Sequence, residues 1–419
     1  MILIKTRIKN AYFISLVSFL VLLFSAKILN ASGKPDEHRY ILFNTAINFM
    51  DPKEVSQEYL QKIIKNFPSK SESEVQVGIN VIISYLQYDM PTISMNLERL
   101  LESIEKTDIP LMIKLDGEQW WQVKPELWNW WDPSKPGYKP ENRKNVEWTG
   151  WDDKNALKIA WRNWGRQIRV LPPPNLMSPA YRKECYNGMN ALLPIIMKWW
   201  RSLPENKKHL LVGITVGWES SIGVNSFYYP NGNDLLNKPS KDDPKMELVR
   251  ADMLSRGLVQ IGYAAVKTAG IRDSGDITED DLVEVIRRHL EGLSKHVYEA
   301  GFPRDKIFTH GWGNEFNEKM YDAALNKYSS PGWSNYWTAD DVSKNEGIVR
   351  NIKKSDAKYW LMAEWLIMDS YDKKRWENAI RKTLFYPGCR SMIIYNWNSV
   401  KDFPEVIEAV NNVVLDPKL

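Results

Sequence analysis

Two glutamates stand where apolar runs of the chain end, and this position makes them candidates for chemistry. Glu219 follows the run in HLLVGITVGWESSIG, residues 209–223, and Glu364 follows the run in AKYWLMAEW, residues 357–365. Such apolar, β-branched runs are typical of strands that are buried on both faces. If both strands belong to one parallel barrel, their carboxyl ends share a face and the two carboxyl groups meet in one pocket. A carboxyl that holds a proton, beside one that is ionised, can act as an acid next to a nucleophile or base.

Other polar and aromatic residues follow the same kind of run and are predicted to contact a substrate. Asp116 and Glu118 come directly after the third run, and Trp120 lies two residues further on. The remaining candidates flank the other strand ends: Trp218, His310, Trp312, Asn314, Glu315, Asn396 and Trp397. Each polar candidate could instead be a strand-end residue whose hydrogen-bonding groups are satisfied by the backbone.

Eight apolar runs separated by helical stretches predict the architecture that brings these residues together. The runs begin at residues 40, 75, 110, 209, 306, 332, 357 and 391, and the run at 332 is the weakest of them. Strands that alternate with helices imply parallel pairing through right-handed crossovers. Eight such units make a (β/α)₈ barrel, so we predict an α/β fold with a single catalytic domain over residues 34–419.

Several buried carboxyl groups in one pocket favour hydrolysis of a glycosidic bond. Crowding and burial raise the pKa of at least one of them. Glycoside hydrolysis needs that difference, because one carboxyl must be protonated and another ionised at the working pH. Trp218 and Trp365 flank the two glutamates and would supply the apolar wall that keeps a carboxyl neutral.

With Glu219 after the fourth strand and Glu364 after the seventh, the sequence resembles the clan of retaining (β/α)₈ glycoside hydrolases. The resemblance implies that Glu219 is the acid/base and Glu364 the nucleophile of a double displacement. It also implies β-linked oligo- or polysaccharides as substrates, with Trp397 in IIYNWN beneath the sugar beside the cleaved bond. The clan usually has Asn directly before its acid/base, whereas Trp218 stands there, so this chain would be a divergent member.

Several alternatives stay open from the sequence. The only Asn-Glu pair at a predicted strand end is Asn314-Glu315, one strand late for the clan pattern, so Glu315 could take the catalytic part of Glu219. The run SSIGVNSFYYP after Glu219 also resembles β-amylases, which invert configuration. The same barrel could be a non-catalytic carbohydrate-binding protein, or a metal-dependent hydrolase, although few histidines stand at strand ends to hold a metal.

Tryptophan is unusually frequent, with 19 residues in the chain. The densest group lies in the segment 120–151, which is predicted to fold over the mouth of the barrel. Most of its tryptophans should pack against one another, because so long a loop needs internal packing, while one or two should face the cleft and stack on sugars. An amphipathic helix is predicted over 152–170, and further helices are predicted over 245–269 and 278–300.

The first residues predict an exported protein, and the charge balance argues against a nucleic-acid partner. Lys5, Arg7 and Lys9 precede an apolar run and small residues follow it, the layout of a secretory signal peptide over residues 1–33. With Lys27, this segment contains four basic residues and no acidic one. Because the formal net charge of the whole chain is +4, the mature chain would be near neutral. A neutral chain argues against a nucleic-acid partner. The resemblance to glycoside hydrolases implies a carbohydrate partner.

Little in the sequence calls for a metal, a cofactor or a membrane span. Cys185 and Cys389 could form one disulfide or remain two buried thiols. His289 and His296 share a predicted helix but are expected to be structural, and no cofactor is expected. No stretch after the signal segment is long enough to span a bilayer, so a secreted, periplasmic or cell-surface location is expected, with an uncleaved N-terminal anchor as the alternative.

Overall fold

Eight parallel strands close into a barrel in the computed structural model of the chain, which describes residues 38–68, 73–163, 167–223, 226–229, 257–313 and 318–417. The strands are β1 (Arg39–Thr45), β2 (Val75–Ser84), β3 (Leu111–Asp116), β4 (Leu211–Ser220), β5 (Ile307–Gly311), β6 (Gly332–Asn335), β7 (Trp360–Trp365) and β8 (Cys389–Ile394). Each strand pairs with its sequence neighbours in parallel, and β8 closes on β1. The predicted (β/α)₈ barrel is therefore confirmed.

Helices follow the strands along the chain, as the alternating pattern predicts. They are α1 (Gln57–Ile64), α2 (Met90–Thr107), α3 (Pro125–Trp128), α4 (Pro179–Ser202), α5 (Tyr263–Thr268), α6 (Glu279–Glu299), α7 (Glu346–Lys354), α8 (Lys373–Leu384), α9 (Trp397–Val400) and α10 (Pro404–Leu415). Helix α6 begins at a capping box made by Thr278 and Asp281 and confirms the helix predicted over 278–300. Of the helix predicted over 245–269, α5 is the part that the structure describes as helical, and residues 245–256 lie outside the described ranges.

The strands are buried on both faces, which accounts for their nearly continuous apolar sequence. One side of the strands forms a compact apolar cluster inside the barrel: Tyr40, Leu42, Met112, Val212, Phe308, Leu361, Ala363 and Ile393. The other side packs against the helices in a much larger cluster that includes Ile41 and Phe43. Lys114 is a charged residue in the middle of β3, and it has no exposed surface.

The weakest predicted strand is present as β6, which has only four residues. It pairs with β7 from Gly332 to Asn335 and with β5 at a single position, Gly311 opposite Trp333. A Cβ atom on Gly332 would lie 2.5 Å from the Thr309 carbonyl oxygen, so only glycine lets the three strands approach here. Short length and a required glycine explain why this strand has the faintest apolar pattern.

The helix predicted over 152–170 is wrong. The segment forms a 3₁₀ turn at Asp153–Asn155 and then a two-stranded antiparallel ribbon, Ala160–Asn163 with Gln167–Val170. Trp161 in this ribbon exchanges backbone hydrogen bonds of 2.9 and 2.8 Å with Phe227, and it is fully buried beside Tyr229. Burial of one aromatic face and pairing with a distant segment override the local helical spacing.

The tryptophans of the segment 120–151 largely hold the loop together, as predicted. Their indole N–H groups donate to backbone carbonyls: Trp128 to Trp121 at 3.1 Å, Trp130 to Leu157 at 2.9 Å and Trp148 to Arg143 at 2.7 Å. Trp121 and Trp148 are buried, and the other tryptophans of the segment are half-buried. These contacts order a long connection that contains only one short α-helix and one 3₁₀ helix.

The cysteine prediction has a structural outcome, whereas the signal-peptide prediction does not. Cys185 and Cys389 are both free and buried, so the chain has two buried thiols rather than the alternative disulfide. The predicted signal peptide lies outside the described residues and stays a prediction. Among the described residues, no helix is both long and apolar enough to cross a bilayer.

Candidate active site

Glu364 lies at the carboxyl end of β7 with 2% of its surface exposed, and both of its carboxyl oxygens accept hydrogen bonds. Lys114 Nζ donates to Oε1 at 2.9 Å, and Tyr336 Oη donates to Oε2 at 2.7 Å. Burial, together with the nearby carboxylates, holds the pKa of Tyr336 well above its usual range, so the phenol keeps its proton. A carboxyl that accepts from an ammonium on one oxygen and from a phenol on the other is bound in its ionised form.

Glu219 ends β4 in a backbone conformation that few non-glycine residues adopt. Its φ is 51°, Gly217 just before it has φ 77°, and the pairing register of β4 with β5 shifts between Val216 and Ser220. A left-handed conformation at a non-glycine residue costs about 1–3 kcal/mol and persists only where its surroundings hold it. Here the irregularity places the carboxyl against β6, where Glu219 Oε1 accepts from Ser334 Oγ at 2.7 Å.

His310 extends this contact into a chain of hydrogen bonds. Its Nε2 lies 2.8 Å from Ser334 Oγ, and the ring has no exposed surface. Burial and the Lys114 ammonium hold the pKa of His310 well below its usual range, so the imidazole is neutral. Because Ser334 gives its single proton to Glu219, the proton between Ser334 and His310 belongs to Nε2. Oε1 of Glu219 is thus held by Ser334, which His310 holds in turn.

The two glutamates that the sequence predicts to converge do lie together. One ligand-type atom from each of Glu219, His310 and Glu364 falls within 4.8 Å of the others, and all three side chains are buried. Tyr395, directly after β8, lies near the same charges. Its burial and then the carboxylates of Glu364 and Glu219 raise its pKa to about 12. The carboxyl ends of β4, β5, β7 and β8 therefore meet at one point, as the barrel topology requires.

Two carboxylates and an imidazole are also ligand types that a divalent metal accepts. In this arrangement the Lys114 ammonium already donates to Glu364, and the Ser334 hydroxyl already donates to Glu219. A metal would have to displace both donors and lie beside a buried positive charge. The donor set therefore favours proton chemistry, and the expectation of no metal stays a prediction.

Asp116 and Glu118, predicted to contact substrate, have their oxygens engaged with the protein. Asp116 accepts from Ser84 Oγ at 3.0 Å and from two backbone N–H groups at 2.9 and 3.2 Å. Glu118 Oε1 accepts from Ser220 Oγ at 2.6 Å and lies 3.1 Å from His289 Nε2. Burial and the charge of Glu118 raise the pKa of Asp116 to about 6. This is one of the raised carboxyl pKa values that the crowding of acidic residues predicts.

The predicted aromatic contacts lie close to the same groups. Trp218 occupies the position where the clan pattern would have Asn, and its ring lies 5.6 Å from Lys114 Nζ while its carbonyl accepts from Gln119 at 2.7 Å. Trp312 is nearly buried, and its ring lies 5.9 Å from that of Tyr336. Both indoles therefore pack around the donors of Glu364 and restrict water there.

The remaining predicted residues divide into two groups. Trp397 is 9% exposed and packs edge-on against Phe43 at 5.1 Å, and the Asn396 side chain caps α9. These contacts are structural, and a role for either residue beneath a sugar stays a prediction. Asn314 and Glu315 lie outside the described residues, so the part suggested for them also stays a prediction.

The residues that touch the two glutamates most directly are absent from the sequence predictions. Lys114 could have been singled out as a lone charge inside the buried run LMIKLD. Ser334 and Tyr336 come from β6 and the residue after it, the strand with the weakest pattern. Alternation along so short a strand gives too little signal to say which side chains point at the site.

A second charged group surrounds a small cavity beside the end of β4. Its lining includes Glu118, Glu147, Arg162 and Ser221. Burial lowers the pKa of Arg162 to about 10, while the carboxylates of Asp116, Glu118 and Glu219 act in the opposite direction. Arg162 therefore remains a cation at neutral pH and, like Lys114, balances the acidic groups. Its guanidinium also lies 5.8 Å from the ring of Trp120, another predicted contact residue.

Glu147 is the most perturbed carboxyl near this cavity, and we predict that it controls part of the pH dependence of stability. It is 1% exposed, and burial raises its pKa to about 8, while the backbone N–H groups of Gly262, Ala264 and Ala265 act in the opposite direction. A carboxyl whose pKa is raised in the folded state contributes its full stability to the fold when the pH is below its unfolded-state pKa. That contribution is lost as the pH rises toward 8. Relative to wild type, Glu147→Gln should therefore gain a few kcal/mol between about pH 5 and pH 8.

Urea unfolding across this pH range measures the effect. The matched control is Glu205→Gln, at an exposed glutamate that begins a 3₁₀ helix. Parallel pH profiles of stability for wild type and Glu147→Gln would show that Glu147 is not held neutral in the folded protein.

Comparisons with known proteins find similar folds but no significant sequence similarity. No protein-family model and no curated protein matches the chain. Among solved structures, a GH5-4 broad-specificity endoglucanase from an uncultured bacterium is similar with TM-score 0.44 and 8% identity, over 91% of this chain and 94% of that one. A GH113 β-1,4-mannanase gives TM-score 0.39 and 10% identity over 91% and 98% of the two chains. A glycoside hydrolase family 5 enzyme from Prevotella bryantii B14 gives 0.40 and 9% over 90% and 96%.

Proposed function

We propose that this protein is a glycoside hydrolase that cleaves β-linked bonds in an oligo- or polysaccharide and retains the anomeric configuration. The observation that carries the proposal is the contrast between two adjacent buried carboxyl groups. Glu364 accepts from an ammonium and a phenol, whereas Glu219 Oε1 accepts from a serine hydroxyl backed by a neutral imidazole. An ionised carboxylate beside a carboxyl that can hold a proton supplies the nucleophile and the acid of this reaction.

In the first step Glu364 attacks the anomeric carbon while Glu219 donates its proton from Oε2 to the glycosidic oxygen. The bond from that carbon to the leaving oxygen breaks, and a glycosyl ester to Glu364 forms. Lys114 and Tyr336 fix the rotamer of the attacking carboxylate through their two hydrogen bonds. Fixed orientation of the nucleophile lowers the entropic part of the barrier.

In the second step Glu219 acts as a base. Now ionised, it takes a proton from water, whose oxygen attacks the anomeric carbon and releases Glu364 as a carboxylate. Ser334 and His310 keep Oε1 of Glu219 occupied in both steps, so the same Oε2 gives the proton and later receives one. The hydrogen-bond chain thus supports one oxygen as the site of both transfers.

Retention is favoured over inversion by the short gap between the two carboxyl groups. Retaining enzymes hold their carboxyl groups about 5–5.5 Å apart, and inverting enzymes need about 6.5–9.5 Å to admit a water. Oxygen atoms of Glu219 and Glu364 come within 4.8 Å of one another. That spacing leaves room for a sugar carbon but little for an additional water on the far side.

The test is hydrolysis of a panel of plant and microbial β-glucans, mannans, xylans and galactans, with nitrophenyl glycosides alongside, by the chain from residue 34 onward. We expect cleavage of at least one β-linked member, and proton NMR during the first minutes should show the β-anomer of the product. Accumulation of the α-anomer first would contradict the double displacement. Binding of a saccharide without turnover would favour a non-catalytic carbohydrate-binding protein.

Export from the cell belongs to the same proposal. Residues 1–33 have the charge and hydropathy layout of a signal peptide, and a polysaccharide supplied from outside the cell is too large to cross a bilayer intact. We propose that the protein acts as a secreted, periplasmic or surface enzyme.

A further inference from the structure

Trp337 differs from the other tryptophans of the described residues because 70% of its side chain is exposed. The others are buried or half-buried, including those of the segment 120–151 from which the sequence predicts a sugar platform. Leaving so large an apolar surface in water is unfavourable, and the core of this barrel does not require it. The flat apolar ring of Trp337, with its polar N–H, is suited to stack on a ligand.

The turn that carries Trp337 is fixed on both sides. Asn335 Oδ1 accepts from the backbone and hydroxyl of Thr338 at 3.3 and 2.8 Å, and Asn335 Nδ2 donates to the Thr338 carbonyl at 3.2 Å. Directly after the turn, the Ala339 carbonyl accepts from Trp365 Nε1 at 3.0 Å. The exposure of Trp337 is therefore a property of an ordered turn, which presents the ring without an ordering cost on binding.

A second exposed apolar side chain, Met368, lies on the neighbouring loop, and Arg375 connects that loop to the turn that carries Trp337. Arg375 donates to both oxygens of Asp340 at 2.6 Å and lies 3.0 Å from Asp369 Oδ1. Asp340 closes the turn after Trp337, and Asp369 directly follows Met368, which is 56% exposed. The loops after β6 and β7 are thereby tied together, and each of them carries one exposed apolar side chain.

This apolar pair continues the candidate active site outward. Trp337 directly follows Tyr336, whose hydroxyl lies 2.7 Å from Glu364 Oε2. Tyr336 is half-buried against Glu364, whereas Trp337, the next residue in the turn, is exposed. A sugar chain with one ring at Glu364 would pass over Trp337 with its next units.

We propose that Trp337 and Met368 form an outer subsite that stacks on the C–H face of a neutral sugar ring beyond the cleaved bond. The proposal rests on the proposed glycoside hydrolase function and adds that the substrate is a chain of at least three sugars. The surrounding charges are mutually paired, Arg375 with two aspartates and Lys382 with Asp341 at 3.0 Å, so a charged ring gains nothing here. A stable protein interface buries about 1,200–2,000 Å², far more than two side chains offer.

The experiment compares a series of oligosaccharides of increasing length, from an aryl monoglycoside to the hexasaccharide, of whichever linkage the enzyme cleaves. In Trp337→Ala the ratio of kcat/KM on the hexasaccharide to kcat/KM on the monoglycoside should fall about tenfold, the size expected for loss of one aromatic stacking contact. Trp337→Phe should keep most of the ratio. Tyr298→Ala, at a 46% exposed aromatic on α6, is the matched control and should leave the ratio unchanged.

A second measurement separates binding from turnover. Calorimetric titration of Glu364→Gln with the hexasaccharide should show about tenfold weaker binding when Trp337→Ala is added. An unchanged ratio and an unchanged affinity would overturn the outer subsite while leaving the proposed function intact. If the parent protein neither cleaves nor binds any saccharide, both the function and the subsite are overturned.

Discussion

Glu364→Gln is expected to lower kcat by about 10⁴-fold or more on every substrate that the wild-type protein cleaves. An amide has no ionised oxygen to attack the anomeric carbon, so the glycosyl ester does not form. Because no covalent step can occur, the defect should not depend on the quality of the leaving group. Steady-state and single-turnover rates on an aryl glycoside measure it directly.

The same substitution should also destabilise the fold, because it leaves Lys114 without its counter-ion. Lys114 has no exposed surface and Glu364 only 2%, and breaking such a buried pair costs about 3–5 kcal/mol. The double variant Lys114→Met/Glu364→Gln should recover most of that stability and none of the activity. The matched control is Glu58→Gln, which breaks the exposed pair with Lys62 and should leave both stability and activity unchanged.

Two outcomes would contradict this account. Activity of Glu364→Gln within tenfold of wild type would remove Glu364 as the nucleophile. Recovery of activity in the double variant would show that the single variant failed through instability rather than through lost chemistry. Unfolding in urea and kcat, measured on the same preparations, distinguish the two.

The barrel could be predicted because parallel strands buried on both faces leave a strong mark in the sequence. Apolar runs at β1, β2, β3, β4 and β7 cannot be mistaken for amphipathic helices, and their spacing leaves room for a helix after each. The segment 152–170 was assigned wrongly because its ribbon is stabilised by Phe227 and Tyr229, which lie far along the chain. Local periodicity carries no information about such partners.

The meeting of Glu219 and Glu364 follows from topology alone, because all strands of the barrel end on one face. Their hydrogen-bond partners depend instead on local backbone geometry, which an apolar pattern in the sequence does not predict. The left-handed backbone at Glu219 and the shifted register of β4 with β5 decide that its carboxyl faces Ser334. Lys114 lies two residues before the end of β3, and it contacts Glu364 on β7 because closure of the barrel brings these two strands around one interior.

Glu219 is held by hydrogen bonds that run through Ser334 and His310, while Trp218 stands where the clan pattern has Asn. Trp218 has no side-chain acceptor, so it cannot replace an amide beside the sugar. Its ring instead lies 5.6 Å from the Lys114 ammonium, and the carboxyl of Glu219 accepts from Ser334, which His310 contacts in turn. The Glu219 carboxyl is therefore positioned by a buried hydroxyl and imidazole.

Glu219→Ala is expected to lower kcat/KM by about 10²–10⁴-fold on oligosaccharides, the range for loss of a general acid. The loss should be much smaller on 2,4-dinitrophenyl glycosides, because that leaving group departs without a proton. Sodium azide should then restore turnover and give a β-glycosyl azide, since a small anion can attack the ester on Glu364 where the water would have been deprotonated. Product analysis by NMR identifies the azide and its configuration.

Two further variants test whether Glu219 is the acid and whether the hydrogen bond from Ser334 positions its proton. Ser334→Ala removes the donor to Glu219 Oε1 while leaving the acid in place, so it should lose about tenfold on oligosaccharides, with a displaced basic limb in the pH profile of kcat/KM. Glu315→Gln tests the Asn-Glu alternative and should retain nearly full activity. If azide rescues Glu315→Gln and fails to rescue Glu219→Ala, the acid of this enzyme is Glu315, and Glu219 only shapes the charge around Glu364.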